Sequence, residues 1–121
     1  MKGRILYFFI VIGVVFLAST SFAKSNSTKA LYPHPYVIVY GRDSCPFTQA
    51  MRKSLDFEGI EYQYKIIDKP EVKNKIFSRM KARGLPTKDF TLPVVDVSNK
   101  IFVHPSPATV IDYYTFGNTN E

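Results

Sequence analysis

The stretch that decides the fold is Tyr36-Val-Ile-Val-Tyr-Gly-Arg-Asp-Ser-Cys-Pro-Phe-Thr48. Its first part, Tyr36 to Tyr40, is apolar, rich in β-branched and aromatic residues, and closed by Gly41, which predicts a buried strand. Pro46 suits the first position of a helix, because its missing N–H would have no partner there. The stretch therefore predicts a strand followed by a helix, with the only cysteine of the chain, Cys45, at the N-cap between them.

The position of Cys45 favours a reactive thiol. At a helix N-terminus, backbone N–H groups and the positive end of the helix dipole stabilise a thiolate, and Arg42 adds a positive charge nearby. A free cysteine is also among the residues most often buried as an inert core side chain. A core thiol has no reason to lie between a strand-ending loop and a helix-opening proline, so we interpret Cys45 as accessible and reactive. The hydroxyl of Thr48, one helical turn later, is suited to hydrogen-bond the thiolate.

The remaining chain alternates strand and helix patterns. The first helix has apolar residues at helical spacing and ends at Gly59. The later predicted elements are a strand over Glu61 to Asp68, a helix from Pro70 to Gly84, a polar loop over Leu85 to Phe90, a strand over Thr91 to Val97, a strand over Ile101 to Val103, and a helix capped by Ser106, opened by Pro107 and stopped by Gly117. The predicted order is β-α-β-α-β-β-α, an α/β fold that begins with a right-handed parallel crossover and contains an antiparallel hairpin.

The N-terminal segment predicts export. Met1 to Ala23 has two basic residues, an apolar run over Ile5 to Ala18, and small residues before a cleavage site after Ala23, as in a signal peptide. The apolar run is shorter than the roughly 20 residues that span a bilayer, so we favour a cleaved signal and a periplasmic protein over a permanent N-terminal anchor. The predicted domains are a signal peptide at 1–23, a linker at 24–35, a folded domain at 36–117 and a flexible tail at 118–121.

Composition agrees with one folded domain and gives no sign of nucleic-acid binding. The chain has 121 residues, of which 45% are hydrophobic, enough for a real core. Its formal charge falls from +6 to +4 once Lys2 and Arg4 leave with the signal segment. No recognised nucleic-acid motif accompanies the basic residues, so a solvated basic helix face is the favoured interpretation. These residues are Lys65, Lys69, Lys73, Lys75, Arg79, Lys81 and Arg83.

Two motifs resemble those of glutaredoxins. Cys45-Pro-Phe-Thr48 resembles the Cys-Pro-Tyr-Cys active site, with Thr48 in place of the second cysteine. Thr91-Leu92-Pro93 resembles the Thr-Val-Pro segment of that family, whose proline is cis. The resemblance extends over roughly Tyr36 to Tyr114, and it implies a thioredoxin-like (glutaredoxin) fold with a four-stranded mixed sheet and three helices.

The resemblance also implies a glutathione site. It implies that a cis Pro93 faces Cys45 and that the Leu92 backbone pairs with the cysteinyl part of glutathione, as an added strand would. Arg42 takes the place of a family lysine near the thiolate and the glycine carboxylate, and Phe47 keeps the apolar wall of the family tyrosine. The implied catalytic residues are Cys45 and Thr48, and the implied glutathione-binding residues are Arg42, Phe47, Leu92, Pro93 and Ser106.

The chain departs from the family before its last helix. Where the family usually has a Gly-Gly pair followed by acidic residues, this chain has Val103-His104-Pro105-Ser106-Pro107. A histidine such as His104 can act as a general acid or a metal ligand. With no second histidine or cysteine near it in sequence, we interpret it as a residue at a strand end and expect no metal.

The predicted function is that of a monothiol glutathione-dependent thiol-disulfide oxidoreductase that reduces glutathione mixed disulfides through Cys45. Glutathione would be the co-substrate, glutathionylated proteins or disulfides the partners, and the protein a monomer. One alternative is an iron–sulfur module in which two copies each supply Cys45 and share two glutathiones, although family members of that kind usually have Cys-Gly-Phe-Ser. Another alternative is a thioredoxin-fold binding protein with little turnover.

Overall fold

The computed structural model describes residues 29–117, and the predicted signal peptide and C-terminal tail lie outside these residues. The elements are β1 (Val37–Gly41), α1 (Pro46–Phe57), β2 (Gln63–Ile66), α2 (Pro70–Ala82), β3 (Val94–Val97), β4 (Lys100–Val103) and α3 (Pro107–Phe116). They form a four-stranded sheet in the order β2-β1-β3-β4. Strand β1 runs parallel to β2 and antiparallel to β3, which pairs antiparallel with β4. The predicted mixed sheet, element order and fold class are confirmed.

Strand β1 lies in the centre of the sheet and is buried along its whole length. Because successive strand residues point to opposite faces, its side chains enter two different cores. One face packs against α2, where Ile38 and Tyr40 meet Ile76 and Met80. The other face packs against α1 and α3 in a cluster formed by Val37, Val39, Met51, Leu55, Val95, Val97 and Val110. Coverage on both faces explains why the β1 sequence is continuously apolar rather than alternating.

Two strands are shorter than the sequence pattern predicts. Strand β2 is restricted to four residues, which pair with β1 from Ile38 opposite Gln63 to Gly41 opposite Ile66. Strand β3 begins at Val94, directly after Pro93, whose nitrogen has no hydrogen to donate to a ladder. Within residues 29–117, no helix has the length and apolar character needed to cross a membrane.

Arg79 does not lie on a solvated basic face, so that prediction is wrong for this residue. It is 5% exposed, and its guanidinium donates to the fully buried carboxylate of Asp96 in β3 at 2.6 Å. The Tyr36 hydroxyl also donates to this carboxylate at 2.9 Å, and the Asn99 backbone N–H donates to it at 2.9 Å. A buried charge needs such a partner, and Asp96 inside an otherwise apolar strand was the sequence signal for it.

Candidate active site

Cys45 occupies the N-cap of α1, as predicted. Its backbone is extended, with φ −88° and ψ 116°, and Pro46 follows at the first helical position. The Cys45 N–H donates to the Arg42 carbonyl at 3.0 Å, which closes the loop after β1, and the Cys45 carbonyl accepts from Gln49 N–H at 3.2 Å. The side chain is half-buried. The thiol therefore lies beside unpaired N–H groups of the first helical turn and remains accessible to a reactant.

The surroundings of Cys45 lower the pKa of its thiol. Burial acts in the opposite direction, but it is outweighed by the nearby Thr48 hydroxyl, by the backbone N–H groups of Thr48 and Phe47, and by the charge of Arg42. Each of these groups interacts more favourably with a thiolate than with a thiol. At neutral pH the thiolate is therefore more populated than in a free cysteine.

Thr48 is fully buried, and its hydroxyl interacts with both Arg42 and Cys45. Its Oγ1 accepts from the Arg42 backbone N–H at 3.4 Å, while its O–H is suited to donate to a thiolate at Cys45 and lowers the Cys45 pKa. One hydroxyl can do both, because it has one donor hydrogen and two acceptor lone pairs. A β-carbon at Gly41 would collide with the Thr48 side chain, so glycine at the end of β1 makes room for it.

Arg42 forms a paired contact with Asp68 that the sequence analysis missed. Its Nε and Nη2 each lie 2.8 Å from a carboxylate oxygen of Asp68, and both side chains are about half exposed. This ion pair raises the pKa of Arg42 and lowers the pKa of Asp68. The parallel pairing of β1 and β2 could have indicated this ion pair, since Arg42 and Asp68 follow the carboxyl ends of the two neighbouring strands.

A second group missed by the sequence analysis surrounds Tyr64. The Tyr64 hydroxyl donates to Asp43 Oδ1 at 2.8 Å, and the Arg52 guanidinium lies 4.0 Å from the centre of its ring. Burial, followed by the Asp43 contact, raises the pKa of Tyr64 to about 12, and the charge of Cys45 adds to this rise. Tyr64 therefore stays protonated near the thiol. The alternation of Tyr62 and Tyr64 in the sequence indicated only a strand.

The segment Thr91-Leu92-Pro93, called here the cis-proline segment, lies at the same end of the sheet as the Cys45 loop. The Leu92–Pro93 peptide bond is cis, as the resemblance implied. The β1–β3 ladder ends with Tyr40 opposite Val94, so the next residues of the two strands, Gly41 and Pro93, lie just beyond the ladder. Pro93 facing Cys45 and Leu92 pairing with glutathione stay predictions.

Phe47 and Ser106 are the two remaining residues of the implied glutathione site. The Phe47 ring is 54% exposed, so it offers an apolar surface two residues after the thiol. Ser106 caps α3, as predicted, and its Oγ accepts from the Thr109 N–H at 3.2 Å. Contact of either residue with glutathione stays a prediction. No cluster of three or more metal-ligating side chains occurs in residues 29–117.

The Thr48 hydroxyl gives a direct prediction for the thiol. Thr48→Val removes the hydroxyl at similar volume, so we expect the apparent pKa of Cys45 to rise toward the value of about 8.5 for a free cysteine. Ultraviolet absorbance of the thiolate against pH measures this change, with the exposed Thr115→Val as a matched control. A wild-type pKa of about 8.5 or above, or an unchanged pKa in Thr48→Val, would contradict the proposed environment.

The lowered pKa of Cys45 also makes the stability of the fold depend on pH. Because the thiol pKa is lower in the folded than in the unfolded chain, the thiolate stabilises the fold at pH values above the unfolded pKa. That contribution is lost as the pH falls through the folded pKa. As the pH falls from the unfolded to the folded pKa of Cys45, the free energy of unfolding of the wild type should therefore decline more than that of Thr48→Val.

Comparisons with known proteins agree with this architecture. No protein-family model matches the sequence, and no curated protein matches it. Among solved structures, a glutaredoxin from Archaeoglobus fulgidus is similar, with a TM-score of 0.53 and 20% sequence identity. The match covers 80% of this chain and 100% of that chain. At this identity the similarity concerns the fold, and the chain therefore has the thioredoxin-like fold found in that glutaredoxin.

Proposed function

We propose that this protein is a monothiol, glutathione-dependent thiol-disulfide oxidoreductase that reduces glutathione mixed disulfides through Cys45. The observation that carries the proposal is the accessible Cys45 thiol at the N-terminus of α1, with its pKa lowered by Thr48 and the first-turn N–H groups. Its location in a thioredoxin-like fold, at the same sheet end as the cis Pro93, supports the same chemistry.

The proposed cycle has two thiol-disulfide exchanges. The Cys45 thiolate attacks the glutathionyl sulfur of a mixed disulfide, forms a Cys45–glutathione disulfide and releases the substrate thiolate, which takes up a proton. The thiolate of a second glutathione then attacks the glutathionyl sulfur bound to Cys45, forms glutathione disulfide and restores the Cys45 thiolate. Because Cys45 is the only cysteine of the chain, the second thiol must come from another molecule.

The lowered pKa helps the second exchange most. A fall in the pKa of a thiol increases the thiolate fraction only while the pKa lies above the ambient pH. Each unit of that fall also lowers the intrinsic nucleophilicity of the thiolate by about 0.4–0.5 log units. Cys45 therefore gains little as the attacking group. It gains as the leaving group, because a more stable thiolate leaves faster, and this is the step that a monothiol enzyme cannot avoid.

A coupled assay tests the proposal. The substrate is the mixed disulfide of glutathione and 2-mercaptoethanol, and glutathione reductase with NADPH reports the glutathione disulfide formed. We expect saturable NADPH oxidation proportional to the protein concentration. A rate no higher than without the protein would contradict the proposal and favour a binding protein with little turnover. Visible absorbance of an iron–sulfur cluster in the purified protein would instead favour a cluster-binding module.

We also propose that the mature protein is a periplasmic monomer released by cleavage after Ala23. The support is the short apolar run over Ile5 to Ala18 and the small residues that follow it. N-terminal sequencing of the soluble exported fraction should find a chain that begins at or near Lys24. Recovery of the protein only in membranes, with Met1 retained, would contradict cleavage.

Thr48→Cys should convert the site into a dithiol site. Thr48 lies one helical turn after Cys45, and its hydroxyl is near enough to lower the pKa of the thiol, so we expect two sulfurs at these positions to be within reach of each other. We expect this variant to form an internal disulfide under a mild oxidant, to reduce protein disulfides that the natural chain does not reduce, and to keep glutathione exchange. Thiol titration before and after oxidation measures the bond. A variant that never oxidises internally would show that positions 45 and 48 are not juxtaposed as described.

A further inference from the structure

His104 connects the start of α1 with the cis-proline segment. Its backbone N–H donates to the Pro93 carbonyl at 2.8 Å, and its ring Nδ1 lies 3.0 Å from the Leu92 carbonyl oxygen. On its other side the imidazole packs against Phe47, with ring centroids 4.8 Å apart and an interplanar angle of 86°. The exposed imidazole therefore fills the space between Leu92 and Phe47 at the edge of the candidate site.

The direction of the contact with Leu92 follows from the atoms involved. A carbonyl oxygen can only accept, so Nδ1 of His104 carries the hydrogen and donates it. The sheet ladders that involve β3 reach no further than Val94, so the Leu92 carbonyl is a backbone acceptor beyond the regular sheet. His104 occupies this acceptor with a side-chain donor.

The backbone at His104 adds a second observation. Its φ is +50°, a left-handed conformation that glycine adopts freely and that a residue with a β-carbon adopts at an energetic cost. The backbone conformation therefore favours glycine rather than histidine. What the histidine side chain adds is the hydrogen bond to Leu92 and the ring contact with Phe47.

We propose that His104 is a specificity-determining residue whose imidazole caps the Leu92 carbonyl and thereby weakens the binding of extended, peptide-like thiol compounds, glutathione included, along the cis-proline segment. This inference rests on the proposed function and on the predicted pairing of the Leu92 backbone with glutathione. A ligand that binds as an added strand uses backbone donors and acceptors together. Because the imidazole competes with the ligand N–H for the Leu92 carbonyl, the ligand loses up to the equivalent of one net hydrogen bond, which corresponds to about 2- to 12-fold in the dissociation constant.

Two substitutions distinguish the effect of the hydrogen bond to Leu92 from the effect of the bulk of the imidazole ring. His104→Gly removes the imidazole and suits the left-handed backbone, so the variant is expected to fold. His104→Asn is the matched control, because asparagine tolerates this conformation and its amide N–H is placed to donate to Leu92 as Nδ1 does. Thermal unfolding of both variants verifies the fold. If His104→Gly is misfolded, His104→Ala removes the same donor.

The binding probe is S-methylglutathione, a thioether that cannot undergo disulfide exchange, titrated into the mature chain by calorimetry. We expect His104→Gly to bind it about 2- to 12-fold more tightly than the wild type, and His104→Asn to bind it about as the wild type does. Equal or weaker binding by His104→Gly would overturn the proposal. An equal gain in His104→Asn would also overturn it, since the bulk of the ring rather than the cap would then be responsible. The absence of binding in all of the proteins would overturn it too.

A turnover measurement distinguishes failure of this inference from failure of the proposed function. With the glutathione–mercaptoethanol mixed disulfide, His104→Gly should have a lower KM and an unchanged kcat, because the cap affects binding rather than the exchange at sulfur. A fall in kcat with an unchanged KM would contradict the cap. If the wild type shows no turnover at all, the proposed function fails, while the S-methylglutathione comparison still decides the role of His104.

Discussion

Cys45→Ser reduces glutathione-disulfide exchange to the rate of the uncatalysed reaction while leaving the fold in place. A serine hydroxyl is not ionised near neutral pH and cannot form a disulfide, so both exchanges of the proposed cycle lose their reacting atom. The fold should persist, because the Cys45 side chain is only half-buried and belongs to neither core cluster. The coupled assay measures the loss, and circular dichroism with thermal unfolding verifies the structure.

The neighbouring Ser44→Ala is a matched control. Ser44 is exposed in the same loop and has no role in the exchange, so this variant should keep wild-type activity. Exchange that persists in Cys45→Ser at the wild-type rate would mean that the thiol is not the reacting group. Loss of activity in Ser44→Ala would point to disruption of the loop rather than to loss of the sulfur.

Asp96→Ala should destabilise the protein by about 3–5 kcal/mol, because it leaves the buried Arg79 guanidinium without its counter-ion. The Arg79–Asp96 contact is 2.6 Å long, and the two side chains are 6% and 0% exposed. The Tyr36 hydroxyl and the Asn99 N–H would lose their acceptor in the same variant. Such a loss is a large part of the roughly 5–15 kcal/mol that stabilises a typical domain. Urea denaturation measures the free energy of unfolding.

The Arg42–Asp68 pair provides the comparison, since its geometry is also good but its side chains are about half exposed. Asp68→Ala should lower the free energy of unfolding far less than Asp96→Ala does, because water screens an exposed pair. The double variant Arg79→Met with Asp96→Val should cost less than Asp96→Ala alone, since it removes both charges and leaves no unpaired one. Equal costs for Asp96→Ala and Asp68→Ala would contradict the assigned burial.

The sequence predicted the fold because its signals are local. Within residues 29–117, each of the three helices begins at a proline in the first helical position, where the missing N–H costs nothing: Pro46, Pro70 or Pro107. The continuous apolar run of β1 predicted a buried strand, which the structure confirms and shows to be covered on both faces. The N-cap position of Cys45 was predicted from the same kind of local signal, the proline that follows it. The strand ends were less accurate, because pairing with a neighbour decides where a strand stops.

Contacts between distant parts of the chain could not be predicted in the same way. The Arg79–Asp96 and Arg42–Asp68 pairs depend on which strands are neighbours and in which register. The basic spacing along α2 does not reveal that Arg79 points into the core. The contacts of His104 with Leu92 and Phe47 depend likewise on the sheet bringing the end of β4 beside the cis-proline segment.

The most direct test of the central claim is mass spectrometry of the purified protein after incubation with glutathione disulfide. The account predicts one added glutathionyl group of about 305 Da on Cys45, removed completely when reduced glutathione is then supplied. Peptide mapping places the group, and Cys45→Ser should remain unmodified. A wild-type protein that acquires no glutathionyl group, or that keeps the group in the presence of reduced glutathione, would contradict the proposed monothiol cycle.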